Sequence, residues 1–127
     1  MIVSKASFQQ LNGFLKKEKF NSTVYYGTPS FLKKFHGTVL NLTQGGSSNN
    51  YFHFIFDIVS KIILTKANFK NFKKIDFFYV SSLKKWQINI LKIIGIKKEK
   101  LIDSKINNHI YANKVIALDH PWYNKGY

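Results

Sequence analysis

Asn50, His53 and Asp57 fall within one short run, Asn50-Tyr51-Phe52-His53-Phe54-Ile55-Phe56-Asp57, at spacings of three and four. On an α-helix those spacings stack side chains on one face. With Asn50 set at 0°, an ideal helix puts His53 at about 300°, Asp57 at about 340°, Ser60 at about 280° and Lys61 at about 20°. Apart from Leu64, at about 320°, the apolar residues of the segment lie between about 40° and 240°. The pattern predicts a narrow polar seam on an otherwise apolar helix, buried on its apolar sides, with the seam facing a cleft, water or a ligand. His53 and Asp57, at i and i+4, suit proton transfer, because a carboxylate beside an imidazole fixes its tautomer and orientation. Either can be the base: His53 oriented by Asp57, or Asp57 oriented by His53. A buried polar pair bonded to neighbouring backbone is the purely structural alternative. No metal is expected here, since two ligands are too few and no other Asp, Glu or His cluster lies nearby in sequence.

The run is preceded by Gln44-Gly45-Gly46-Ser47-Ser48-Asn49. Gly45 and Gly46 let the backbone adopt unusual dihedrals, and the amides of a helix N-terminus attract anions. Gly45, Gly46, Ser47 and Ser48 are therefore candidates to hold a phosphate or sugar hydroxyls; a tight turn that merely starts the helix is the alternative. The loop is not a Walker motif, because the Lys-Ser/Thr ending is missing, and it lacks the dinucleotide fingerprint spacing. Ser48 or Asn49 is the expected N-cap. Further along, Asp119-His120 precedes Pro121 at the exit of the last expected strand, the edge where ligands gather in parallel sheets. His120 is thus a further binding candidate. The aromatics Tyr51, Phe52, Phe54 and Phe56 are expected in the core rather than as a sugar-stacking platform.

Recognisable elements must hold these residues in place. A short helix over Phe8–Lys19 and a strand over Thr23–Tyr26 are expected, followed by a turn at Thr28-Pro29-Ser30. Gly37–Leu42 is expected as a buried strand feeding the glycine loop and the seam helix. Lys73–Val80 has strand character, and Ser81 or Ser82 is expected to cap a helix over Leu83–Ile94. There Leu83, Trp86, Ile90, Leu91 and Ile94 repeat at helical spacing and Gly95 stands where a helix stops. Lys100–Asp103 and Lys114–Leu118 complete the strands. Strand alternating with helix over this length predicts an α/β fold: a Rossmann-like parallel sheet with covering helices. The chain has 127 residues, is 45% hydrophobic and shows no internal repeat or linker, so a single domain, 1–127, is expected.

The charge is lopsided: 20 basic residues against 6 acidic give +14, and every basic residue is lysine. Specific nucleic-acid recognition leans on the arginine fork, which this chain lacks. Codon bias in an AT-rich genome accounts for much of the lysine, isoleucine, asparagine and phenylalanine. Weak contact with an anionic membrane surface or with acidic substrates is the functional reading of the surplus. No apolar run is long enough to span a membrane, and Met1 to Gln10 lack the pattern of a signal peptide. With no cysteine, the expected location is the cytoplasm, including the inner membrane face.

The run from Asn50 to Asp57 resembles the Asn-Tyr-Tyr-His-Trp-Leu-Phe-Asp type motif of glycosyltransferase family 61, also described as a domain of capsular polysaccharide proteins. The surroundings resemble that family as well, over roughly residues 37–122. The Gly45-Gly46 loop precedes the motif, and Trp86-Gln87 opens a helix ending in Leu91-Lys92-Ile93-Ile94-Gly95-Ile96. Lys97-Lys98-Glu99-Lys100-Leu101-Ile102 and Asn113–Leu118 followed by His120-Pro121 fall in the same order. The resemblance implies an inverting transferase that moves a sugar from a nucleotide-sugar donor to the hydroxyl of a glycan or polysaccharide. It implies one lobe of a two-lobe, GT-B-type arrangement; a nucleotide-sugar donor is expected as substrate, no other cofactor is expected, and nothing in the residues demands a metal. Asn50, His53 and Asp57 are the positions onto which the family's polar motif residues fall. Family members continue into a second, arginine-containing half. This chain is accordingly expected to match an N-terminal lobe, to need a C-terminal lobe as partner and to be inactive alone. The competing expectation is a non-enzymatic basic α/β module that binds acidic glycan, a membrane surface or RNA.

Overall fold

Two three-residue strands, β1 (Gln9–Leu11) and β2 (Phe14–Lys16), pair antiparallel with Leu11 opposite Phe14. A helix over Phe8–Lys19 was the sequence expectation, and the hairpin replaces it. Asn12-Gly13, which separates the two strands in sequence, is the strongest short-range hairpin signal and outweighs the helix-forming residues around it. The computed structural model describes residues 9–11 and 14–16 as backbone, and residues 32–44 and 46–118 in full. Gly45, His120, Asp119 and the segments Thr23–Tyr26 and Thr28–Ser30 lie outside the described residues. The chain divides into two compact units, Met1–Phe31 and Leu32–Tyr127.

The second unit is an α/β structure. Strand β3 (Lys33–Asn41) runs into a loop and then a long helix, α1, made of a turn at Tyr51–His53, a π-helical stretch Phe54–Val59 and an α-helix Ser60–Asn68. A 3₁₀ turn, Phe72–Lys74, leads into β4 (Phe77–Val80), which is shorter than the expected Lys73–Val80 strand. Helix α2 (Lys85–Ile93) follows, then β5 (Leu101–Asp103) and β6 (Ile110–Ala117). The four strands form one sheet in the order β5-β4-β3-β6, and every pairing is parallel.

Strand periodicity explains the layering. Leu40 and Phe78 are register partners, so they and the residues two along, Leu42 and Val80, share one face. Phe54, Ile58 and Ile62 of α1 and Leu91 of α2 bury against them in a single cluster. Gly95 ends α2 at φ +93 with open space around it. The Ile96 N–H reaches the Leu91 carbonyl at 2.9 Å and the Gly95 N–H that of Lys92 at 3.0 Å. The requirement at Gly95 is therefore the left-handed backbone alone.

On the opposite face, the short connection 104–109 carries the chain from β5 at one sheet edge to β6 at the other. The Tyr79 hydroxyl, from that face of β4, donates to the Asn107 carbonyl at 2.7 Å and pins the crossing. Burial, together with the negative charge of Asp103, holds the Tyr79 hydroxyl above the usual tyrosine pKa. Among the described residues no helix is long and apolar enough to cross a membrane.

Candidate functional site

The loop after β3 is tied to the end of β4, so the C-terminal ends of two neighbouring strands meet beneath α1. The Leu42 N–H donates to the Tyr79 carbonyl at 2.8 Å, and the Gln44 N–H to Ser81 Oγ at 3.0 Å. Ser81 Oγ in turn donates to the Gln44 carbonyl at 3.1 Å. Ser47 is buried, its hydroxyl 2.7 Å from the Gln44 carbonyl and 3.0 Å from Ser81 Oγ. Expected to face a phosphate or sugar hydroxyls, Ser47 is instead turned inward and fixes the loop. The backbone of Ser48 is held from below. Its carbonyl accepts from Ser82 Oγ at 2.8 Å and from Gln87 Nε2 at 3.3 Å.

Asn50, in extended conformation, is the N-cap of α1. Its Oδ1 accepts from the Phe52 N–H at 2.9 Å and the His53 N–H at 3.4 Å. The cap thus falls one or two residues later than the expected Ser48 or Asn49. The oxygen of Asn50 is committed to the helix, so of its side-chain polar groups the amide nitrogen is the one the cap does not use. The same cap orients the first turn, and with it His53.

His53 Nδ1 lies 2.9 Å from Asp57 Oδ2. A carboxylate only accepts, so the bond assigns the proton to Nδ1 and leaves Nε2 of the neutral ring with its lone pair. The two partners are unequally exposed: the His53 side chain is 43% exposed and that of Asp57 only 4%. The sequence leaves open which of the two is the base. In the fold, the imidazole is the partner that reaches solvent, while the Asp57 carboxylate is buried and holds the ring by its Nδ1. His53 immediately precedes the π-helical stretch and Asp57 lies within it, where the turn is wider than in an α-helix. Ser60 N–H bonds back five residues to the Ile55 carbonyl there.

Gly46 stands over this imidazole. It has φ +83, and a Cβ added to it would sit 3.3 Å from His53 Cδ2 and 3.5 Å from Nε2. A side chain there would crowd Nε2 and would have to adopt the left-handed backbone that favours glycine. On another side, the Phe52 ring meets the His53 ring edge-on at 5.8 Å. One turn beyond Asp57, Lys61 is buried and its Nζ donates to Gln44 Oε1 at 2.7 Å. Lys61 extends the His53–Asp57 seam beneath the loop.

Two positioning residues escape the sequence reading. Lys61 lies on the predicted seam, yet its spacing alone says nothing of a bond to Gln44. Gln87 is wholly buried. Its Nε2 donates to the Ser47 and Ser48 carbonyls at 3.3 Å each, while its Oε1 accepts from the Lys84 N–H at 2.8 Å. Lys84, rather than Ser81 or Ser82, is therefore the N-cap position of α2. A signal for Gln87 does exist: it stands four after Leu83 and four before Leu91, a polar residue on the apolar stripe of α2.

The expectation for the aromatics of α1 needs correction. Phe54 is buried, but Tyr51, Phe52 and Phe56 are exposed. A helix lying on one face of a sheet buries only about half its circumference. The apolar residues on its far side then face out, whatever their hydrophobicity. His120 and Gly45, both binding candidates, lie outside the described residues. Among the described residues no cluster of three or more His, Cys, Asp or Glu side chains gathers. Compared with protein-family models, with curated proteins and with solved structures, the chain finds no match.

Proposed function

We propose that this chain is an α/β lobe of a glycosyltransferase resembling family 61, in which His53 Nε2 is the base that activates the acceptor hydroxyl. The observation that carries this reading is the His53–Asp57 pair at 2.9 Å, with the carboxylate buried and the imidazole half-exposed. In an inverting transfer the acceptor proton passes to Nε2 as its oxygen bonds the anomeric carbon from the face opposite the leaving group. The bond from that carbon to the donor phosphate breaks, and the nucleotide leaves with the electron pair. The imidazolium so formed lies against the Asp57 carboxylate, which stabilises it.

Two further features favour a nucleotide-sugar lobe of Rossmann type. Numbered within this unit, the strands run 3-2-1-4, the order in which a doubly wound nucleotide-binding sheet begins. His53 and Gly46 stand beyond the C-terminal ends of β3 and β4, the edge at which such sheets take their ligands.

The test offers a panel of nucleotide sugars and acceptor glycans to the chain fused to a matching C-terminal lobe, with NMR of the histidine ring nitrogens. A shift of His53 Nε2 on adding acceptor is expected, together with transfer or donor hydrolysis. That turnover should fall about 10²- to 10⁴-fold in His53→Ala. Full turnover in both His53→Ala and Asp57→Asn, or no response of Nε2 to any acceptor, would overturn the assignment. The exposed lysines favour a second reading, a basic module without catalysis. Binding that collapses with moderate salt and shows no preference among sugars would mark it.

A further inference from the structure

Helix α1 presents a continuous uncharged face to solvent. Tyr51, Phe52, Phe56, Ile63 and Leu64 are between 49% and 63% exposed. The Phe52 and Phe56 rings lie 4.4 Å apart and form a single apolar plate. Ser60 and Ala67 fall on the same side and add no charge. A monomer seldom leaves so long an apolar stripe uncovered without a use for it.

Lysines rim this face at both ends. Lys66 and Lys70 are exposed at the C-terminal end of α1. At the N-terminal end the Tyr51 ring meets Trp86 at 5.4 Å, and Lys84 and Lys85, both exposed, immediately precede Trp86 in sequence. The only acid of α1, Asp57, is buried on the inner side. From Ile58 to Ile75 the sequence carries Lys61, Lys66, Lys70, Lys73 and Lys74 and no acid. Leu64 belongs both to the stripe and to an apolar depression of about 250 Å³ shared with Phe69, Ile116 and Leu118.

We propose that the outer face of α1 docks on an anionic phospholipid bilayer. Aromatic and aliphatic side chains in the middle with lysines at the margins match the interfacial boundary, where acyl chains take the rings and headgroup phosphates take the ammonium groups. Two copies of a chain carrying +14 repel each other, and the face offers no acid to pair with the lysines of a second copy. A bilayer supplies both the apolar phase and the missing negative charge. Because Phe52 touches His53, docking sets the His53–Asp57 pair beside the headgroups. The proposal goes beyond the glycosyltransferase reading and stands or falls without it.

Vesicle flotation tests it, using phosphatidylcholine vesicles with and without phosphatidylglycerol. The full chain is expected to float with the anionic vesicles and to stay behind with the neutral ones. Phe52→Ser/Phe56→Ser should lower the bound fraction at least about tenfold, and Lys66→Gln/Lys70→Gln severalfold. All four side chains lie outside the core, and circular dichroism checks that each variant is folded. Should the first variant unfold, Ile63→Ser/Leu64→Ser on the same stripe takes its place with the same expectation. Undiminished flotation of folded stripe variants would reduce the attraction to charge alone and overturn the docking face. No flotation, with wild type eluting as a dimer and the stripe variants as monomers, would assign the face to self-association instead.

Discussion

At the residue scale, the proposed transfer would divide the side chains around the His53–Asp57 pair into those that serve it and those that hold the loop. Ser47 and Gly46 are neighbours with opposite expected behaviour. Ser47→Ala removes a buried hydroxyl that bonds both Gln44 and Ser81. It should cost about 1–2 kcal/mol of stability, read by urea denaturation, and leave the expected Nε2 response to acceptor intact once folded. Gly46→Ala places a methyl against Nε2 and forces a left-handed residue, so it should also cost about 1–2 kcal/mol. It should in addition suppress the Nε2 response to acceptor, which Ser47→Ala should preserve. Equal acceptor responses in the two variants would mean that Gly46 has no role in access. The pair itself was legible in the sequence, because i and i+4 on a helix fix a contact without knowledge of the fold. The inward turn of Ser47 was not, because loop side chains follow no period.

At the scale of elements, the supports beneath the site are the second helix and the strand ends. Replacing Gln87 by Leu keeps volume but strands the Ser47 carbonyl and the Lys84 N–H, each of which Gln87 satisfies. A loss of about 2–3 kcal/mol in chemical denaturation is expected; a neutral or stabilising effect would show that water replaces the amide at no cost. Gly95→Ala, with no steric neighbour, should lose only about 1 kcal/mol, from the left-handed backbone.

Tyr79 carries a pH signature. Its pKa is raised by burial and then by Asp103, so the folded state holds this proton more tightly than the unfolded chain does. The stability it contributes is complete below the ordinary tyrosine value of about 10 and is lost as pH rises through the elevated folded value. The difference in stability between wild type and Tyr79→Phe should accordingly shrink in strongly alkaline solution. A constant difference would mean the hydroxyl is not linked to folding.

Most of these elements could be read from the sequence. Strand residues alternating with an amphipathic helix announced β3, β4, α2, β5 and β6, and Gly95 marked the end of α2. What periodicity cannot supply is the number of layers. The apolar circumference of α1 suggested burial all round, whereas the described sheet offers it one face.

At the scale of the whole molecule, charge and fold pull in different directions. Twenty lysines against six acids leave most positive charge unpaired in any arrangement of this chain. Their mutual repulsion opposes the compact state more than the expanded one, because folding brings them closer. Added salt shortens the screening length to about 8 Å near physiological strength and so relieves that repulsion. The midpoint of thermal unfolding should therefore rise by a few degrees between low and moderate sodium chloride, measured by differential scanning calorimetry. Over the same range, flotation with anionic vesicles should weaken, because the attraction of lysines to headgroups is screened as well. The two trends have opposite sign and a common cause. A falling midpoint would mean that attractive pairs outweigh the lysine surplus in the folded state. The same result would remove the uncompensated rim of α1 on which bilayer docking depends.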